Sequence, residues 1–282
     1  MNKKFLEIQP LIKKYGLKPK NSLGQNFLVD AGALQKVIAA AQISPEDHVL
    51  EIGAGLGSLT YLLAQSAARV TAVEIDQTLL PPLQEALSVF PHVTLVAGDI
   101  LALEADALMP YENYIVVANI PYYITSAIIR HLLEARHKPA RMVLTIQREV
   151  AERILARDHK QSLLSLSVQV FGKPEVAAVI PAGCFYPAPD VDSAILKVTL
   201  FPKPLIAIDK MDDFFALAKA GFSQKRKTLR NSLSAGLGIP PASAAALLLS
   251  AGIDPARRAE TLTLAEWNDL TLRHTNTGNF SA

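Results

Sequence analysis

"HVLEIGAGLGSLTYLLAQSA", residues 48–67, decides the fold. It passes from a short apolar run through a glycine-rich turn into leucines at helical spacing, which reads as strand, turn and helix. Glycines at 53, 55 and 57 let the backbone approach a ligand, and the helix behind them offers its N-terminal amides. The dinucleotide fingerprint G-x-G-x-x-G requires glycine at 58, where Ser58 stands. A G-x-G-x-G turn with Glu51 in front suits a ligand whose amino-acid end needs a close backbone better than it suits a pyrophosphate.

The same rhythm continues outward. "DAGALQKVIAAAQI" (30–43) reads as a helix capped by Asp30, and "RVTAVEID" (69–76), "VTLVAGD" (93–99), "YIVVAN" (114–119) and "MVLTIQ" (142–147) read as strands. "QTLLPPLQEALSVF" (77–90) is helical, with Pro81 and Pro82 tolerable only near its first turn. This alternation predicts a parallel sheet with helices on both faces. "AAVIPAGCFYPAPDVDSAILKVTLF" (177–201) holds two strand-like runs around a proline-rich loop, as in a hairpin that closes the sheet edge. Beyond "FPKPLIAID" (201–209) every segment looks helical. The expected architecture is an α/β, Rossmann-like domain over 1–203 followed by a small all-helical domain over 204–282.

Composition narrows the class. Of 282 residues, 50% are hydrophobic and 19% charged, which fits a folded globular chain. No apolar run reaches the roughly 18 residues of a membrane span, and "MNKKFLEIQPLIKKYG" lacks the apolar core of a signal peptide. The single cysteine, Cys184, excludes an internal disulfide and a cysteine-rich zinc site, so a cytoplasmic protein without a metal is expected. The net charge of +2 is unevenly spread. Residues 1–24 carry six lysines against Glu7, residues 25–203 carry 13 basic and 18 acidic groups, and residues 204–282 carry nine and seven. Basic ends on a mildly acidic body suit a polyanionic partner.

Polar residues close the strands in order. Glu74 stands about 20 residues past the glycine turn, where a carboxylate can accept both hydroxyls of a ribose. Asp99 ends the third strand and can accept an adenine amino group, and Asn119 ends the fourth. Strand C-termini converge on one crevice in a doubly wound sheet, so these groups and the glycine turn would line it together. A lone acid at a strand end is usually a helix cap, but an ordered series describes a ligand with a ribose and an adenine and no phosphate cradle. That description points to S-adenosylmethionine.

"ANIPYY" (118–123) lies beside it. An adenine amino nitrogen is a weak nucleophile because its lone pair is conjugated into the ring. The Asn119 side-chain oxygen and the Ile120 carbonyl can accept its two N–H bonds in a geometry that makes the nitrogen pyramidal. Pro121 fixes the backbone so that the carbonyl points inward, and Tyr122 offers a face for an extruded base.

The motifs "LGQNFL" (23–28), "LEIGAGLGSLT" (50–60), "VEID" (73–76), "GDIL" (98–101), "NIPYYIT" (119–125), "FYPAPDVDSA" (185–194) and "FSQKRKTLRNSL" (222–233) cover nearly the whole chain. In that order and spacing the sequence resembles the bacterial small-subunit ribosomal RNA adenine dimethyltransferases, the family tied to kasugamycin sensitivity. The resemblance implies a donor site formed by Asn26, Leu28, Gly53, Glu74, Asp99 and Asn119, with Gln25 and Gly55 beside them. It implies dimethylation of two adjacent adenines in the hairpin loop near the 3′ end of small-subunit rRNA, within a pre-30S particle, by a monomer. Tyr123 stands where some members carry a second asparagine, a change expected to alter the pocket's rim.

Two further stretches carry expectations. In "FYPAPDVDS", Pro187 and Pro189 are read as forbidding a paired strand, so Phe185 is expected on a stiff loop entering the hairpin, either as a second wall for the target base opposite Tyr122 or as a hydrophobic plug. "QKRKTLRNSL" places Lys225, Arg226, Lys227 and Arg230 within two helical turns, with no acid between Asp213 and Asp254 to pair with them, so phosphate contact is expected. Arg257 and Arg258 extend that patch, and "LGQNFL" is either a lid over the donor or a glycine turn. The competing readings are a large-subunit rRNA methyltransferase of the macrolide-resistance type, a non-catalytic RNA-binding assembly factor, and a nicotinamide oxidoreductase.

Overall fold

The computed structural model describes residues 5–121, 124–156 and 160–276. The chain begins with helix α1 (Ile8–Tyr15) and a two-residue strand β1 (Phe27–Leu28). Alternation follows through α2 (Ala31–Ala41), β2 (His48–Ile52), α3 (Ser58–Ala64), β3 (Arg69–Glu74), α4 (Leu80–Leu87) and β4 (Val93–Ala97). It continues through α5 (Ala105–Leu108), β5 (Ile115–Asn119), α6 (Thr125–Glu134), β6 (Arg141–Gln147) and α7 (Arg148–Leu155). Next come α8 (Leu163–Gln169), β7 (Gly172–Ile180), β8 (Phe185–Tyr186) and β9 (Ser193–Leu200). The chain closes with α9 (Met211–Phe222), α10 (Leu229–Leu237), α11 (Pro241–Ser250) and α12 (Leu264–Asn276).

Seven strands form one sheet in the order β4-β3-β2-β5-β6-β9-β7. The first five are parallel, and β9 runs antiparallel to β6. This is the Rossmann-like sheet read from the sequence, closed by the expected hairpin. The order reverses between β2 and β5, so the crevice of a doubly wound sheet opens at their C-terminal ends. Ile115, Val116, Val117 and Ala118 of β5 are all buried, as a strand covered on both faces requires. Asp30 caps α2 by accepting the Ala33 amide at 2.7 Å. Pro81 and Pro82 sit in the first turn of α4, where their missing N–H groups cost no helical bond. β7 is longer than the strand-like run in the sequence. It reaches back to Gly172 and includes Pro174, which its position at the sheet edge tolerates.

Packing divides the chain into two compact units. The sheet unit runs up to Ala151 and takes in Pro174–Leu200; the helical unit joins Glu152–Lys173 to everything from Phe201 onward. The C-terminal crossing lies close to the expected boundary at 203, but the helical unit also recruits α8. Backbone bonds explain this: the Gln161 amide donates to the Glu260 carbonyl at 2.8 Å, and the Leu205 amide to the Val170 carbonyl at 2.9 Å. No local pattern in the sequence announces such a return.

The helical unit closes on Trp267, which is fully buried and stacks on Phe222 at 5.7 Å. Helix α9 packs closely on α10 and on α12 because a glycine faces each contact. A Cβ on Gly236 would stand 2.6 Å from both Cα and Cβ of Ala220, and one on Gly221 would stand 2.6 Å from the Trp267 ring. Gly236→Ala is therefore expected to destabilise the protein by about 1–3 kcal/mol through overpacking, against the usual helical preference for alanine. Urea unfolding checks this; an unchanged or raised stability would mean that the two helices separate freely.

Candidate active site

The glycine turn sits where β2 ends. Gly53 and Gly55 hold φ of +76° and +58°, a region that side chains disfavour, and a Cβ on Gly55 would meet the Phe27 ring at 3.0 Å. Glu74, the last residue of the neighbouring β3, is 5% exposed and braces this turn. Its Oε2 accepts the Gly55 amide at 2.7 Å and its Oε1 accepts the Asp76 amide at 2.8 Å. Burial raises the Glu74 carboxyl above its ordinary range, and the two amides offset burial only in part. Each carboxylate oxygen keeps a further lone pair for a ligand hydroxyl.

"LGQNFL" folds onto the same strand ends. Leu23, Gly24, Gln25, Asn26 and Phe27 line a cleft with Gly53, Gly55, Glu74, Ile75, Asn119, Ile120 and Pro121. Asp76, to which the sequence pattern gave no role, holds this segment down. It is 3% exposed and accepts from Lys20 Nζ at 2.6 Å, Gln25 Nε2 at 2.8 Å and the Thr78 hydroxyl at 2.7 Å. Burial alone would raise its carboxyl, but the bonds from Lys20, Thr78 and Gln25 outweigh burial and hold it at about 2. The Gln25 side chain is thus committed at both ends, since its Oε1 accepts the Lys20 amide at 2.8 Å. A second acid two residues past Glu74, in "VEID", was the signal available in the sequence.

Asn119 Nδ2 donates to the Asn26 carbonyl at 2.8 Å. That bond sets the orientation of the amide, so Oδ1 is the group left to accept from a substrate. Ile120 is 1% exposed, with its amide donating to Thr145 at 3.2 Å. Tyr122 and Tyr123 lie outside the described residues. Leu28 lines an adjoining cavity that shares Phe27, Gly53, Gly55 and Asn119 with the cleft. Asp99 is exposed at the end of β4, and its Oδ1 caps the following turn by accepting the Leu101 amide at 2.9 Å. Among the described residues it is not part of the cleft wall.

Phe185 requires a correction. It does pair, because β8 lies antiparallel to β1 with Leu28 opposite Phe185 and Phe27 opposite Tyr186. Opposed residues share a face, so Leu28 and Phe185 turn together into the core, 5% and 4% exposed. Phe185 is the plug and offers no free face to a base. The residue displayed beside Phe27 is Tyr186, 45% exposed.

The basic patch is also rearranged. Lys225, Arg226 and Lys227 occupy the turn between α9 and α10, and only Arg230 is helical. α10 cannot start earlier because the Leu229 and Arg230 amides already donate to the carbonyls of Arg257 and Pro255. All four basic side chains are exposed. Arg257 is not a free phosphate contact: its guanidinium forms an ion pair with Glu266 and donates to the Thr261 carbonyl at 2.5 Å. Arg258 lies 4.0 Å from Glu260.

These placements separate structural from displayed groups. Phe185→Ala is expected to cost about 3–5 kcal/mol of stability, and Tyr186→Ala less than about 0.5 kcal/mol; equal losses in urea melts would contradict the assignment of faces. Asp76 has a depressed folded-state carboxyl, so its contribution is complete above about pH 4 and fades as the pH falls towards about 2. The stability gap between the wild type and Asp76→Asn should narrow over that window. A gap independent of pH would show that the charge on Asp76 does not matter.

A family model described as ribosomal RNA adenine dimethylase matches residues 16–275. A ribosomal RNA small subunit methyltransferase A from Dehalococcoides mccartyi (strain CBDB1) is 45% identical over 269 residues, covering 95% of this chain and 92% of that protein. Its namesake from Moorella thermoacetica is 43% identical over 277 residues, covering 94% and 96%. Among solved structures, a dimethyladenosine transferase from Plasmodium falciparum gives a TM-score of 0.78 at 27% identity, covering 89% of this chain and 98% of that one. The 23S rRNA methyltransferase ErmE gives 0.71 at 29% identity, covering 88% and 99%. With its glycine turn, its strand-end acids and most of its helical unit inside the matched span, this chain belongs to the ribosomal RNA adenine dimethylase family.

Proposed function

We propose that this chain transfers methyl groups from S-adenosylmethionine to the N6 amino groups of two adjacent adenosines in the 3′-terminal hairpin loop of small-subunit rRNA. The observation that carries this reading is the Asn119 amide, turned by the Asn26 carbonyl so that its oxygen is available beside the Glu74 cleft. The relatives named small subunit methyltransferase A favour the small-subunit substrate over the large-subunit one. Among the described residues no single helix is long and apolar enough to cross a membrane. The setting we propose is a pre-30S particle in the cytoplasm, met by a monomer.

The cleft suits the donor on structural grounds. Gly53 and Gly55 present bare backbone at positive φ to the cleft, and Glu74 is a buried double acceptor for a ribose diol. When bound, S-adenosylmethionine supplies a methyl group already activated by its sulfonium charge. The chain's own work is to position the target. Asn119 Oδ1 and the Ile120 carbonyl accept the two N–H bonds of the adenine amino group and localise its lone pair. Attack needs no tuned general base, because the proton can leave after the methyl arrives. The lid held by Asp76 keeps Asn26 in place and so orients Asn119. Lys225, Arg226, Lys227 and Arg230, exposed together on the helical unit, supply phosphate contacts.

Three measurements test the reading. Separated small and large ribosomal subunits lacking the modification are incubated with labelled donor; label is expected in dimethyladenosine from the small subunit, and label confined to the large subunit would overturn the assignment. Asn119→Ala should leave a folded protein that binds RNA and transfers almost no methyl groups, and near-normal turnover would remove Asn119 from its role. Alanine at Lys225, Arg226 and Arg230 should weaken RNA binding and lower its salt dependence by about 0.7–0.9 in logarithmic slope for each phosphate partner removed. An unaltered slope would make these ordinary surface charges.

A further inference from the structure

The proline-rich loop that joins β8 to β9 is fixed at both ends and displayed in the middle. At one end Phe185 is sealed into the core. At the other, Asp192 ties the loop to two neighbours: its Oδ1 accepts the Ala182 amide at 3.0 Å and its carbonyl accepts the Arg148 amide at 3.1 Å. Pro187 and Pro189 restrict the backbone between these anchors. Tyr186 and Val191 nonetheless stand 45% and 42% exposed on it. A lone exposed tyrosine means little by itself, so the position of this one decides. Register sets it opposite Phe27, on the same face of the β1-β8 pair, where Cβ atoms lie about 5 Å apart. Phe27 in turn lines both the Glu74 cleft and the adjoining cavity, alongside Asn119. Among the described residues Tyr186 is not part of either wall. It stands one strand beyond the site, at its edge.

We propose that Tyr186 is the stacking platform for the nucleotide that flanks the target adenosine on one side. This rests on the proposed reaction, in which two adjacent adenosines are substrates in turn. Adjacent nucleotides share one phosphate, so when a base is extruded into the cleft its neighbour is held at the mouth. That neighbour differs from one round to the next. For one of the two targets it is the other adenosine, and for the other target it is the next nucleotide in the loop. When it is an adenosine, its amino nitrogen carries hydrogens before its own turn and methyl groups after. A receptor built to hydrogen-bond that amino group would reject the dimethylated base, because its buried acceptors would be left unmet. An aromatic face contacts the ring instead, which every base has and which methylation leaves in place. Val191 adds apolar contact that is equally indifferent to methyl groups. Tyr186 touches no reacting atom and is a positioning residue: it holds the strand so that the chosen base reaches Asn119. The anchored loop presents the ring already ordered, so little conformational freedom is lost when the RNA arrives.

The test is a double-mutant cycle between Tyr186 and the flanking base. Unmodified small subunits are assembled with intact rRNA, or with rRNA carrying an abasic site immediately before or immediately after the first of the two adenosines. Methylation is read at that first adenosine by fragment mass. On intact subunits, Tyr186→Ala should raise the KM for the subunit by about five- to 150-fold, the range that base–aromatic stacking spans. Donor affinity by calorimetry and the melting temperature should stay close to wild type, and Tyr186→Trp should keep the KM near its wild-type value. An abasic site on one flank should bring the wild type and Tyr186→Ala to the same KM, while one on the other flank leaves their ratio unchanged. The flank that cancels the difference names the stacked nucleotide. A KM unmoved by Tyr186→Ala, or a ratio that survives both abasic sites, would overturn the inference and leave the proposed enzyme standing. Failure of the wild-type protein to methylate intact small subunits would overturn the reaction and the inference together.

Discussion

One buried carboxylate joins the parts of this crevice. Glu74 ends β3 and reaches across to the Gly55 amide of the turn after β2, while its other oxygen holds the amide of Asp76. Without an acceptor there, a glycine turn with positive φ would have no partner for that amide in a nearly dry site. Asp76, positioned by the same bond, anchors Lys20 and Gln25. The segment they belong to brings the Asn26 carbonyl to Asn119. A series of hydrogen bonds thus runs from the end of β3 to the end of β5. Its members come from β3, the glycine turn, the segment 20–26 and β5, which lie far apart in sequence.

The aromatic groups follow from a different constraint, the two-residue period of a strand. β1 and β8 are only two residues long each, yet their register is enough to send Leu28 and Phe185 inward and Phe27 and Tyr186 outward. Pro187 and Pro189 stop the ladder just beyond, as prolines should, but they do not stop it before Phe185. An expectation that treated the prolines as ruling out pairing altogether displayed the wrong ring. The difference between a plug and a wall is one position of register.

Charge was equally dependent on partners. The basic run 225–230 keeps its exposed character because the helix starts at Leu229 and leaves the lysines on a turn. Arg257 looks identical in sequence, and Glu266, nine residues on, commits it to holding the helical unit together. Its backbone carbonyl also sets the start of α10.

By itself the sequence determined the alternation of strands and helices, the glycine turn, the strand-end acids and amide, the proline-tolerant start of α4 and the family, because each rests on local periodicity or on residue types at short spacing. Glu74, Asn119 and Gly53 line one cleft at the strand ends. Only the tertiary structure decided the role of Asp76, the burial of Glu51 and Phe185, the capping role of Asp99, the pairing of Arg257 and the return of α8 to the helical unit. Each of these depends on a partner far away in the chain, on register, or on how completely a side chain is withdrawn from water. Desolvation and long-range hydrogen bonding are properties of the packed chain, and no local pattern encodes them.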